Sequence, residues 1–186
     1  MTRLARTHAA IDAANSADPD RAEGAPAALL YGQRMSAELA HLMPDAPETL
    51  QIAVRGQHIE RWTSPRSGYP EGKAGYLAWR RDLQGFHATR VAAIMAAEGW
   101  PEADIAATGA MIRKEGLKRD PLVQMLEDVA CFTFLRWYFH PFAEGRDPGG
   151  LLTIVQKTAR KMSPEGRARA LAEFDLPEPF ASAFRA

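Results

Sequence analysis

The sequence predicts an all-α protein, a compact multi-helix bundle, on three observations. Apolar residues recur at helical spacing almost throughout. No segment alternates apolar and polar residues with period two between turn signals, as a half-buried strand would. Pro, Gly and Asp divide the chain at intervals of helix length. With 186 residues, the length fits a single helical domain over 1–186 with a sizeable core.

Eight helices are expected in order, at Leu4 to Asn15, Ala25 to Leu42, Pro47 to Trp62, Lys73 to Glu98, Pro101 to Lys114, Pro121 to Phe142, Gly150 to Lys161 and Pro164 to Phe174. Asp120-Pro121 and Ser163-Pro164 each set a capping side chain before a proline at the first helical position, which fixes those two starts. Between helices, Ser16 to Gly24 reads as a solvated linker. Thr63 to Gly72 reads as a loop that puts Arg66 and Tyr69 where side chains can close over a pocket. The last segment, 175–186, reads as a peripheral tail.

Lys and Arg (23) balance Asp and Glu (23), which argues against nucleic acid as a partner recognised through bulk charge. The single Cys131 excludes a disulfide framework and a Cys-rich zinc site. No secretory leader opens the chain and no long uncharged apolar run occurs, so a cytoplasmic protein without membrane contact is expected. Oligomeric state is left open.

Function is read from polar residues on apolar faces. The sixth helix is apolar nearly all round, yet carries Glu127 and Asp128 in its middle. At about 100° per residue, Asp128 shares a face with Met125, Phe132 and Leu135. A carboxylate there must be paired with a cation, hydrogen-bonded, protonated or bound to metal. In the third helix Leu50, Val54, Gln57, His58 and Arg61 share a face. In the fourth, Tyr76, Arg80, Leu83, His87, Val91 and Ile94 do. Two inward His and one inward Asp on separate helices form a set from which bundles build metal sites, so His58, His87 and Asp128 are the candidate ligands. Such ligands suit a divalent ion, Zn, Fe or Mn. Arg61 and Glu127 are candidate catalytic groups, and Arg66, Tyr69, Arg80, Lys114 and Lys118 candidate contacts to a small anionic substrate.

The segments Tyr31-Gly32-Gln33-Arg34, Gln57-His58-Ile59-Glu60-Arg61 and Leu126-Glu127-Asp128-Val129 resemble the three motifs of the HD-domain superfamily of helical metal-dependent phosphohydrolases. Tyr31, Gln57 and His58 stand where that pattern has His, His and Asp; Asp128 is kept in kind. More closely, IDAANSADP, GQHIERW, PRSGYP, AGYLAWRRDL, FHATRV and LEDVACFTFL resemble the uncharacterised domain of unknown function 4202 family, from about Ile11 to about Arg169. The HD resemblance implies a bundle core over about 25–142 and a metal-dependent hydrolase of a small phosphorylated or nucleotide-like molecule. An HD-like iron oxygenase and a non-catalytic helical binding module with a degenerate site are the alternatives.

Overall fold

The structure is a computed structural model that describes residues 1–185, and it is all-α apart from one two-residue ribbon. The chain folds as two compact units, Met1–Leu117 and Lys118–Ala186. Among the described residues no helix is long and apolar enough to cross a membrane.

The first unit opens with α1 (Arg3–Asn15), whose first turn is capped by Thr2 Oγ1 accepting from Ala5 N at 3.2 Å. The segment expected as a solvated linker holds a short antiparallel hairpin, β1 (Arg21–Ala22) with β2 (Ala25–Pro26). Its loop residues Glu23 and Gly24 take φ of 52° and 81°, the left-handed pair that tight hairpins need. The half-turns are anchored by buried Asp18, which accepts from Asp20 N and Ala28 N at 3.0 and 2.8 Å. Then follow α2 (Ala27–Leu42), α3 (Glu48–Gly56), α4 (Gly72–Ala97) and α5 (Glu102–Ile112).

Helix α3 is the hub, in contact with α1, α2, α4 and α5, and its Leu50, Ile52, Ala53 and Val54 are wholly buried. Glu48, Gln51 and Arg55 form its polar face, on which Glu48 is exposed. It ends six residues before the Trp62 expected from its periodicity, at Gly56. A Cβ on Gly56 would stand 2.4 Å from Val91 Cγ2, so the glycine lets α3 approach α4 closely. Gly56→Ala is expected to destabilise the chain by about 2 kcal/mol through overpacking, read as a lower urea midpoint.

The second unit contains α6 (Pro121–Thr133), a π-helical turn at Phe134–Tyr138, α7 (Phe139–Ala143), α8 (Pro148–Lys161), α9 (Pro164–Glu173) and α10 (Phe180–Arg185). The long sixth helix thus occupies nearly the expected span, with the π turn interrupting its regular ladder. Leu126, Val129 and Phe132 make its buried stripe. Three of the helices begin Asp-Pro or Ser-Pro, and Asp120, Asp147 and Ser163 each accept from first-turn amides. The tail expected to be peripheral folds instead into α10, whose Ala181 and Phe184 are buried and which packs on α8 and α9. Two apolar side chains three residues apart suffice to dock one helical turn, too short a pattern to stand out in the sequence.

Candidate anion-binding site

Past Gly56 the first unit's chain leaves the helix in a compact turn, held by amides of Ile59 and Arg61 donating to the carbonyls of Gly56 and His58. Ile59 is fully buried and fixes the turn to the core. Glu60 sits in the left-handed region, φ 50°. Tertiary partners sustain that conformation: Glu60 N donates to Asn15 Oδ1 at 2.9 Å, and its carboxylate takes both Arg90 Nε and Nη2, at 2.5 and 3.0 Å.

This turn throws Gln57, His58 and Arg61 against one face of α4, where Arg80, Leu83, Gln84 and His87 recur at helical spacing. Ile112 and Lys114, at and just past the end of α5, complete the wall. The cleft so formed has room for about 20 Å³, the size of one water, and is open to solvent on its outer side.

The hydrogen-bond roles of both histidines follow from their neighbours. Arg61 Nη1 lies 3.2 Å from His58 Nε2, and a guanidinium can only donate, so this nitrogen accepts and neutral His58 carries its proton on Nδ1. His87 Nδ1 lies 2.7 Å from the Ile59 carbonyl, which can only accept, so His87 donates from Nδ1 and keeps a lone pair on Nε2. That Nε2 is buried and has no partner among the described residues. The two rings stand 5.8 Å apart, and His58 stacks on Tyr31 at 4.6 Å.

Both rings are held neutral. Burial, then the Arg61 guanidinium, His87, Lys114 and Arg80, hold His58 well below the usual imidazole range. Burial brings His87 down to about 4; the Ile59 bond and Glu60 oppose this, while Arg61 and Arg80 add to it. Arg61 itself is lowered, by burial first and by Arg80 next. Its guanidinium rests 4.8 Å over the Trp79 ring. Among the described residues no carboxylate pairs with Arg61 or Arg80.

Of the residues singled out from sequence, the cleft brings together His58, Arg61, Arg80, His87 and Lys114. Arg66 is spent on its own loop, donating to the carbonyls of Tyr69 and Pro70 at 2.9 and 2.8 Å, and Tyr69 Oη donates to Asp82 at 3.0 Å. The other three lie in the second unit. Lys118 Nζ donates to the Arg160 carbonyl at 2.8 Å, and buried Glu127 has Lys161 Nζ at 3.6 Å. Asp128 accepts at Oδ1 from Ser163 N (2.9 Å) and Gln124 Nε2 (3.0 Å), and at Oδ2 from Ser163 Oγ (2.5 Å). It therefore takes the hydrogen-bonded alternative among those open to a buried acid.

The donor set of the cleft does not suit a divalent cation. Among the described residues no group of three or more His, Cys, Asp and Glu side chains is placed to hold a metal ion. The neighbours of the two imidazoles are cations, which repel one. Zn, Fe or Mn, and with iron the oxygenase alternative, would find no third His, Cys, Asp or Glu ligand there among the described residues.

Sequence reasoning missed Gln84, although it lies one turn from both Arg80 and His87 and shares their face. It also missed Trp79, whose contact with Arg61 depends on a turn that no local pattern announces.

Fold and site together define an all-helical chain with a polycationic cleft containing two neutral imidazoles. Residues 5–183 match the family described as Domain of unknown function (DUF4202), and the chain belongs to that family. No curated protein and no solved structure matches it.

Proposed function

We propose that this chain binds a small phosphorylated molecule in the α3–α4 cleft and hydrolyses its phosphoester. One observation carries the reading: Arg61 and Arg80, without carboxylate partners among the described residues, share a cleft with Lys114 and two imidazoles held neutral. Half-buried cations facing one cleft repel one another, and an entering dianion relieves that repulsion while accepting several charge-assisted hydrogen bonds. The motif resemblance to HD-domain phosphohydrolases supports the same substrate class.

In this reading Arg61, Arg80 and Lys114 hold the phosphoryl oxygens and neutralise charge that grows in the transition state. Water attacks phosphorus and its proton passes to His87 Nε2. The ester P–O bond breaks and the leaving alkoxide takes a proton from solvent. A bound dianion raises the basicity of His87, so the base is strengthened by the substrate it serves. No step is routed through a metal.

Titration calorimetry with inorganic phosphate, beside phosphate release from p-nitrophenyl phosphate, tests the proposal. Arg80→Ala is expected to weaken phosphate binding at least about tenfold, ~1.4 kcal/mol. Binding without release would leave a binding module. No phosphate binding by the wild-type chain would remove the proposal.

A further inference from the structure

We propose that the cleft selects an oxyanion carrying its own proton, a hydrogen phosphate or a phosphomonoester monoanion, over a fully deprotonated tetrahedral anion such as sulfate. The inference rests on the anion-binding reading above and adds the identity of the anion.

Arg61, Arg80 and Lys114 can only donate hydrogen bonds, and His58, with Nε2 occupied by Arg61, has only Nδ1–H left to offer. All four suit bare oxyanion oxygens. His87 is the exception: its Nδ1–H is fixed on the Ile59 carbonyl, which leaves Nε2 as an acceptor. This nitrogen is shielded, belongs to a side chain 2% exposed, and has no partner among the described residues. It can become a donor only by taking on a second charge. Burial and the facing Arg61 and Arg80 oppose that, with Glu60 alone among the carboxylates pulling the other way.

A ligand of bare oxygens therefore sets a lone pair against a lone pair at Nε2, whereas a P–O–H satisfies it. Beside it in the wall stands Gln84, whose amide makes no hydrogen bond among the described residues. The single lone pair serves one proton at a time: it accepts water's proton during attack on an ester dianion and then holds the hydroxyl of the newly formed phosphate, whereas an ester monoanion occupies it and binds without reacting.

The test is calorimetry on the full chain with inorganic phosphate, sulfate and methyl phosphate at pH 8 and pH 5.5. Inorganic phosphate keeps a proton at both. Methyl phosphate loses its own as pH rises through about 6, and sulfate has none to lose. At pH 8, phosphate is expected to bind at least about tenfold tighter than sulfate, and methyl phosphate no tighter than sulfate. From pH 8 to 5.5 the affinity of methyl phosphate relative to sulfate is expected to rise at least about tenfold, the ratio cancelling any general gain from protonation of the cleft. His87→Leu is expected to bring phosphate and sulfate to within about threefold of each other; the wild-type ratios decide the matter alone if that variant does not fold.

Equal binding of phosphate and sulfate at pH 8, or sulfate binding with uptake of one proton, overturns the selectivity while leaving the anion-binding reading intact. Absence of binding by every anion overturns both.

Discussion

Asp128→Ala is expected to cost about 3 kcal/mol of stability, read from urea or thermal denaturation, the scale of leaving buried hydrogen-bond donors without their acceptor. The carboxylate is 4% exposed and accepts three hydrogen bonds, two of them from Ser163, whose Oγ in turn accepts from Gly166 N at 2.8 Å. Asp128 thus fastens α6 to the first turn of α9. Removing it strands the Ser163 amide and hydroxyl and leaves Gln124 with only the Lys161 carbonyl, 2.9 Å away. The fit is close, since a Cβ on Gly166 would come within 2.9 Å of the Asp128 carboxyl. Phosphate affinity of the folded fraction is expected to be unchanged, because every partner of Asp128 lies in the second unit. A loss of anion binding with little loss of stability would return Asp128 to the functional site.

Acidification gives the second large effect. His87 titrates near 4 in the folded chain, against 6.5 for an ordinary imidazole. Between those values the unfolded chain binds a proton that the folded chain refuses, so stability falls as pH drops through 6.5 and levels off below 4. The difference amounts to about 3 kcal/mol. His58 and His8, also lowered, act in the same direction. Urea midpoints are expected to fall steadily from pH 7.5 to pH 5, and less steeply for His87→Phe. Phosphate added at pH 5 is expected to restore part of the loss, since a ligand that binds only the folded chain raises its stability. Midpoints independent of pH over this window would show that these rings reach solvent.

Much of the architecture was legible because long amphipathic helices write their period into the sequence. The spans expected for α2 and α4, and the caps at Asp120 and Ser163, agree with the structure to within about two residues, the usual latitude of helix ends. The end of α3 was not legible, because Gly56, Asn15 and Val91 cooperate across the fold to stop it. The convergence of His58, Arg61, Arg80 and His87 was visible as inward faces on two helices. Asp128 looked like their companion because helical phase shows that a side chain points inward, not toward what; its partners, Ser163 and Gln124, lie 35 residues ahead and one turn behind. Lys114 follows a helix C-terminus, where basic residues are common for reasons unrelated to ligands.

The bond from Asn15 to Glu60 ties the recognition turn to the carboxyl end of α1. The same helix is held at its other end by Trp100 Nε1 donating to Thr7 Oγ1 at 2.8 Å. Helix α1 is thus a splint for that turn. Trimming the chain to begin at Ser16 would release the loop that presents His58 and Arg61, and an amino-terminal fusion that pried this helix loose would blunt ligand capture from a distance.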